Sequence, residues 1–169
     1  PFPATHVHDE LHARCLVLDD GAGKLAIVVC DLLGIDRIVS DQARELIQKD
    51  LGIPLERILI SATHTHEAGC LTPVFQSDPD PQYQDFVVSR IADGLRRAAN
   101  NLAPARIGWG SGQLSGETFN RRWKMKPGSI PADPFGKKAD QVRMNPPVGS
   151  PDLIEPAGPT DPEISVLAV

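Results

Sequence analysis

Two histidines one residue apart, His64 and His66, are the best candidates for chemistry in this 169-residue chain. They stand in Ser61-Ala62-Thr63-His64-Thr65-His66-Glu67-Ala68-Gly69, just after the apolar run Arg57–Ala62 (RILISA), which reads as a buried strand. Ligands in α/β sheets gather outside the carboxyl ends of strands. On extended backbone, residues i and i+2 point to the same side, so both imidazoles could face one ligand. Imidazole nitrogen suits zinc, which in catalytic sites takes about three protein ligands and a water. Two histidines cannot complete such a site, and the plain alternative is a pair of loop histidines bonded to backbone carbonyls. Asp31, Glu67 and Cys70 are the nearby donors in the sequence. Asp31 better suits orienting a ligand, or closing its strand end, than binding a metal directly.

Other candidates have plainer readings. His6, His8 and His12 in THVHDELH suit an exposed segment, with His12 on the solvent side of the following strand. Arg121, Arg122, Lys124 and Lys126 surround Trp123, but a solvated loop explains them. The net charge of −5 makes nucleic acid or an anionic membrane surface a poor partner. Gly108, Gly110 and Gly112 alternate on a strand without the Lys-Ser/Thr of a phosphate loop, and Trp109 between them reads as packing. Cys15 and Cys30 read as small buried hydrophobes, and three widely spaced cysteines give no disulfide framework.

The elements that must position the histidines can be read from the apolar pattern. ARCLVL (13–18) and KLAIVVCDL (24–32) read as two strands joined by the turn Asp19-Asp20-Gly21, hence antiparallel. The second run is continuously apolar and suits a central strand buried on both faces. A helix over about Asp36 to Leu51 follows, with Ile38, Val39, Ala43, Leu46, Ile47 and Leu51 on one face and Gly52 as its stop. Return to Arg57–Ala62 predicts parallel pairing through a right-handed crossover. A second helix spans about Pro81 to Leu102, capped by Asp80, with Tyr83, Phe86, Val87, Ile91, Leu95, Ala98 and Leu102 on its apolar face.

Strands are expected again at Ala105–Gly112 and Glu163–Val169. Nine of the 16 prolines lie between Pro127 and Pro162, so an irregular insertion is expected over about 120–162. Phe135, Val142, Met144, Val148, Leu153 and Ile154 would anchor it as a lid or pocket wall beside Arg121. The fold class is therefore α/β, a mixed sheet with helices packed on it and a long Pro-rich insertion before the last strand.

The order A-R-C-L-V-L-D, A-I-V-V-C-D-L-L-G, helix, R-I-L-I-S-A-T-H-T-H resembles the N-terminal part of the neutral/alkaline, non-lysosomal ceramidase family. Asn120-Arg121-Arg122, P-A-R-I-G-W-G-S-G from Pro104 and P-T-D-P-E-I-S-V-L from Pro159 fit the family's larger, mostly bacterial relatives. The resemblance covers nearly the whole chain; the strand with T-H-T-H and the N-R pair are its specific parts. It implies a zinc-dependent amidohydrolase acting on an N-acyl sphingoid base or a similar N-acyl substrate. By position, His64 would be a zinc ligand, His66 would contact substrate or the tetrahedral intermediate, and Arg121 would hold substrate or the developing oxyanion.

Where the family continues with S-G-P, this chain has Glu67-Ala68-Gly69, a carboxylate suited to an extra ligand, a base or plain solvation. In the family, a second zinc histidine and the Glu and Tyr ligands follow the strand that EISVLAV resembles. The expectation is thus a single domain over 1–169, the N-terminal portion of a larger ceramidase-like catalytic domain. The competing readings are a non-catalytic α/β module with a vestigial metal site and, less favoured, a metallo-β-lactamase-like hydrolase. The latter needs H-x-H-x-D-H, which Glu67-Ala68-Gly69 does not supply. The expected partner is a small amide or lipid, with no nucleic acid, no transmembrane segment and the oligomeric state open. PFPATHVHDE is not a secretory leader, so the compartment stays open, secreted or periplasmic if a longer precursor exists.

Overall fold

The structure, a computed structural model, describes residues 5–74 and 77–169. They fall into two compact units, residues 1–104 and 105–169, each described by itself.

The first unit is a mixed three-stranded sheet with two helices. β1 (Ala13–Asp19) pairs antiparallel with β2 (Lys24–Cys30), and β2 pairs parallel with β3 (Ile58–Ala62), giving the order β1-β2-β3. The Asp19-Asp20-Gly21 turn is closed by Asp20 Oδ1, which accepts from the N–H groups of Ala22 and Gly23 at 2.9 Å. Gly21 takes φ 84°, a conformation that costs glycine little.

Helix α1 (Arg37–Leu51) connects β2 to β3. Asp36 Oδ1 accepts from Ile38 N at 3.0 Å and caps its start. Gly52, at φ 66°, ends it with its N–H on Gln48 O. Helix α2 (Pro81–Asn100) is capped by Asp80, whose carboxylate accepts from Gln82 N at 2.9 Å. Each cap supplies a partner to an otherwise orphaned N–H or C=O, which is why both helix starts were legible.

Ala26, Val28 and Cys30 of β2 are buried, with Val17 of β1 and Ile58 of β3 beside them. Val39, Ala43 and Ile47 of α1 and Val87, Ile91 and Leu95 of α2 complete that core. Burying such a side chain contributes roughly 1.5–3 kcal/mol. The other sheet face departs from expectation: β2 alternates instead of being buried on both sides. Ile27 and Val29 are half-buried, Leu25 is exposed, and so is Leu59 of β3. Period-two geometry sends these residues away from the helices, and a continuously apolar run cannot show that. Ile38, Phe86 and Leu102, assigned to apolar helix faces, are also exposed, and α2 ends at Asn100 before Leu102.

The second unit contains two sheets. β4 (Gly108–Gln113) pairs antiparallel with β8 (Glu163–Ala168). Every residue of this ribbon is exposed, including Trp109, so the packing role expected of Trp109 is not seen. The Pro-rich segment is more ordered than expected. β5 (Arg122–Met125) lies between β6 (Val142–Met144) and β7 (Leu153–Pro156) in an antiparallel sheet. Its order comes from backbone pairing: Phe135, Val148, Met144 and Ile154, expected to anchor it, are all exposed. Among the described residues no helix is long and apolar enough to cross a membrane.

Helix α2 packs closely on β1 at Gly94. A Cβ built at Gly94 would stand 2.6 Å from Cys15 Sγ. Gly94→Ala is expected to destabilise the protein by about 1–3 kcal/mol, despite the better helix propensity of alanine. In a Cys15→Ala background that penalty should disappear. Equilibrium denaturation of the four proteins in the cycle checks this; equal penalties in both backgrounds would refute the contact.

Candidate functional site

Parallel pairing of β2 and β3 sets the ends of both strands side by side. Thr63 N–H donates to Cys30 O at 2.9 Å, continuing the ladder one step past β3. The chain then turns abruptly: His64 has φ 62°, in the left-handed region that non-glycine residues rarely occupy. The extended i, i+2 geometry expected of the histidine pair is therefore not what brings the rings together. The bend at His64 does, with ring centroids 5.1 Å apart and planes at 81°, edge to face.

His64 Nδ1 lies 2.7 Å from Leu33 O. A carbonyl only accepts, so Nδ1 must carry the proton, and in the neutral ring Nε2 is left with a free lone pair. This is the arrangement in which metal-binding histidines are usually held, the second nitrogen fixed by a backbone carbonyl. Sequence reasoning could not find Leu33, because its contribution is a backbone oxygen and carries no residue signature. Both histidines and Glu67 are exposed.

The other proposed donors are engaged elsewhere. Asp31, directly after β2, accepts from Arg14 Nη1 at 2.6 Å and from His12 N at 3.1 Å. The Arg14 hydrogen bond, followed by that of the His12 N–H, holds its carboxyl below the usual carboxylate range. Asp31 thus ties the β1 and β2 ends together. Cys70 Sγ donates to Thr72 O. Burial pushes the Cys30 thiol up to about 11 and also raises that of Cys15, so both are inert packing groups, as expected. His8 pairs with Asp9 at the surface, and His12 is exposed.

A cavity of about 750 Å³ opens at the carboxyl end of β2, with Leu11, Leu32, Phe86 and Ile91 among its apolar walls and Arg90 at one side. Such a volume suits a small ligand. Tyr83 joins it to the histidine loop: a Cβ at Gly69 would stand 3.0 Å from Tyr83 Cε1, so glycine there lets the loop lie against the ring.

Within the second unit, Arg121 lines a shallow pocket of about 420 Å³ with Thr118, Phe119, Met144, Pro159 and Thr160. Met144, Pro159 and Thr160 come from the Pro-rich segment, which therefore does form a pocket wall beside Arg121. Two asparagines hold the loop. Asn120 Oδ1 accepts from Arg122 N at 2.9 Å while its Nδ2 donates to Pro159 O at 3.2 Å. Asn145 Oδ1 accepts from Arg121 Nε at 3.1 Å. Lys124, from the basic cluster, is paired across strands with Glu155 at 2.7 Å.

No protein-family model matches the chain. Solved structures do resemble it. Neutral ceramidase from Pseudomonas aeruginosa superposes with a TM-score of 0.57 at 24% identity, over 70% of this chain and 20% of that one. A ceramidase solved in complex with C2 gives 0.52 at 24% identity, over 64% of this chain and 18% of that one. The fold is shared with neutral ceramidase. The matched stretch spans about a fifth of those ceramidase chains.

For zinc, expected from the ceramidase resemblance, the fit is partial. His64 presents Nε2 with its other nitrogen fixed, and His66 is packed against it. Among the described residues no group of three or more His, Cys, Asp or Glu side chains could hold a metal ion. The histidines fit part of a donor set and do not complete one.

The Asp31–Arg14 pair gives a pH test of that division of labour. Because folding lowers the Asp31 pKa, the pair contributes stability above the ordinary carboxylate pKa of about 3.9 and loses it as pH falls through the lower folded value. Asp31→Asn should therefore lower stability at neutral pH, with the gap to wild type closing in acid below about pH 4. Denaturant unfolding followed from neutral to acid pH measures it, and a gap independent of pH would refute the pairing.

Proposed function

We propose that this chain is part of a ceramidase-like amide hydrolase whose substrate is an N-acyl sphingoid base or a similar N-acyl compound. The observation that carries the reading is His64. On a strand end of a ceramidase-like fold, it takes a left-handed backbone conformation and gives its Nδ1–H to Leu33 O, leaving Nε2 to bind. Backbone strain of this kind costs roughly 1–3 kcal/mol and concentrates at functional sites.

In this reading His64 is one ligand of a zinc site whose remaining ligands lie outside the described set. The chemistry zinc supplies in such sites is Lewis acidity, which polarises a carbonyl and lowers the pKa of water to about 7. His66, touching the His64 ring, contacts the substrate amide and moves a proton there. Arg121 holds the substrate or the oxygen on which negative charge develops. The apolar cavity beside Tyr83 supports an apolar acyl or sphingoid portion.

Zinc affinity tests this without requiring turnover. In competition titration against a chromophoric chelator, the wild-type chain is expected to bind zinc and His64→Asn to bind at least about tenfold more weakly, or about 1.4 kcal/mol. Asparagine tolerates positive φ, so thermal unfolding of the metal-free variant should match wild type. Equal zinc affinity in the two proteins, or none in either, would remove His64 as a ligand and favour a non-catalytic module. Where zinc binds, release of fatty acid from an N-acyl sphingoid base should fall with the same substitution.

A further inference from the structure

We propose that Asn145 is the positioning residue for Arg121, fixing both its backbone and its guanidinium so that the two terminal nitrogens serve the pocket. The inference rests on the functional reading of Arg121 above and goes beyond it by naming what aims the side chain.

Asn145 follows β6, and Arg121 precedes β5, so the antiparallel pairing of Arg122 with Met144 brings them together one step past the ladder. Asn145 N–H donates to Arg121 O at 2.8 Å, and Asn145 Oδ1 accepts from Arg121 Nε at 3.1 Å. One residue therefore holds another at two points, main chain and side chain. That leaves the guanidinium little freedom about its long stem, whose rotamers are otherwise numerous. With Nε engaged, the Nη groups have no hydrogen-bond partner among the described residues, while Arg121 lines the pocket with Thr118 and Thr160. They remain available for bidentate contact with an oxygen-bearing group.

The conformation of Asn145 makes this more than a chance contact. Its φ is 48°, one of two positive values at non-glycine residues among those described. The other is His64. Asparagine is the side-chain-bearing residue that best tolerates this region, and Pro146, which follows, further restricts its backbone. The sequence signal was Asn145-Pro146-Pro147, readable as a turn and silent about Arg121. Glycine would satisfy the backbone alone. What asparagine adds is the acceptor that meets Nε.

The test uses the full 169-residue chain. Asn145→Gly keeps the backbone conformation and removes the acceptor; Asn145→Asp keeps an acceptor; Asn145→Ala removes it while retaining a Cβ. The first readout is the Arg121 Nε–H resonance in proton–nitrogen NMR spectra, assigned by its loss in Arg121→Lys. It is expected to shift and to exchange with water at least about tenfold faster in the Gly and Ala variants, and to be retained in the Asp variant, as loss of a hydrogen bond requires. An unchanged resonance in folded Asn145→Gly would overturn the proposal.

The second readout is hydrolysis of the N-acyl substrate. The Gly variant should lose on the order of tenfold to a hundredfold in kcat/KM, following Arg121→Ala, and the Asp variant should recover most of it. If Arg121→Ala leaves hydrolysis unchanged, the function assigned to Arg121 falls, whereas the Nε–H resonance still decides whether Asn145 anchors it.

Discussion

Everything proposed for the first unit depends on the parallel pairing of β2 with β3. It brings the last carbonyls of one strand against the first turn of the next, so Thr63 N–H finds Cys30 O and His64 finds Leu33 O. A one-residue slip would send Ala26, Val28 and Cys30 out of the core, because side chains alternate with period two. Core burial therefore sets the register, and the register selects which carbonyl receives the imidazole. The left-handed conformation of His64 is thus accompanied by a hydrogen bond to a carbonyl that the core-set register supplies.

Asp31 shows how a site can be framed by residues that do no chemistry. Its two oxygens are committed to Arg14 and to the His12 N–H, which fixes the outer edge of the sheet at the level where the histidine loop begins. A carboxylate satisfied this way, with its pKa lowered, is a poor proton acceptor near neutrality and a reluctant metal ligand. Among the described residues Glu67 has no such commitment. It is the carboxylate of the loop still available to a reacting group, and it stands where the resemblance to ceramidases is weakest.

The helices were legible in the sequence because their determinants are local: Asp36 and Gly52 around α1, and Asp80 with Pro81 at the start of α2. The strand order was legible for the same reason, a short turn forcing one pairing and a helical crossover the other. What was not legible depends on partners distant in sequence. The strands inside the Pro-rich segment are three or four residues long and pair across wide gaps, Arg122 with Met144 and Lys124 with Glu155, so no local period announces them. Apolar type was also a poor guide to depth, since Trp109 and Phe135 are exposed. His64 and His66 were found from spacing. The bend that joins them and the carbonyl that orients one of them were not, because neither leaves a mark on residue type.

Both units place their candidate functional groups at the surface, and no charged side chain is buried among the described residues. A charge at 4 Å is worth about 1 kcal/mol in water and several times that where water is excluded. An exposed Arg121 can therefore recognise a polar group, yet it stabilises developing charge strongly only once something displaces the water around it. A compact polar substrate would leave that water in place. A substrate with a long apolar portion would not: it would cover Met144 and Phe119 at the rim of the pocket, both exposed, and raise the strength of every contact it encloses. The apolar cavity beside Tyr83 in the first unit makes the same demand. In the proposed reading, the exposed apolar side chains of each unit suit an amphiphilic substrate, whose apolar body would exclude the water that weakens its polar contacts.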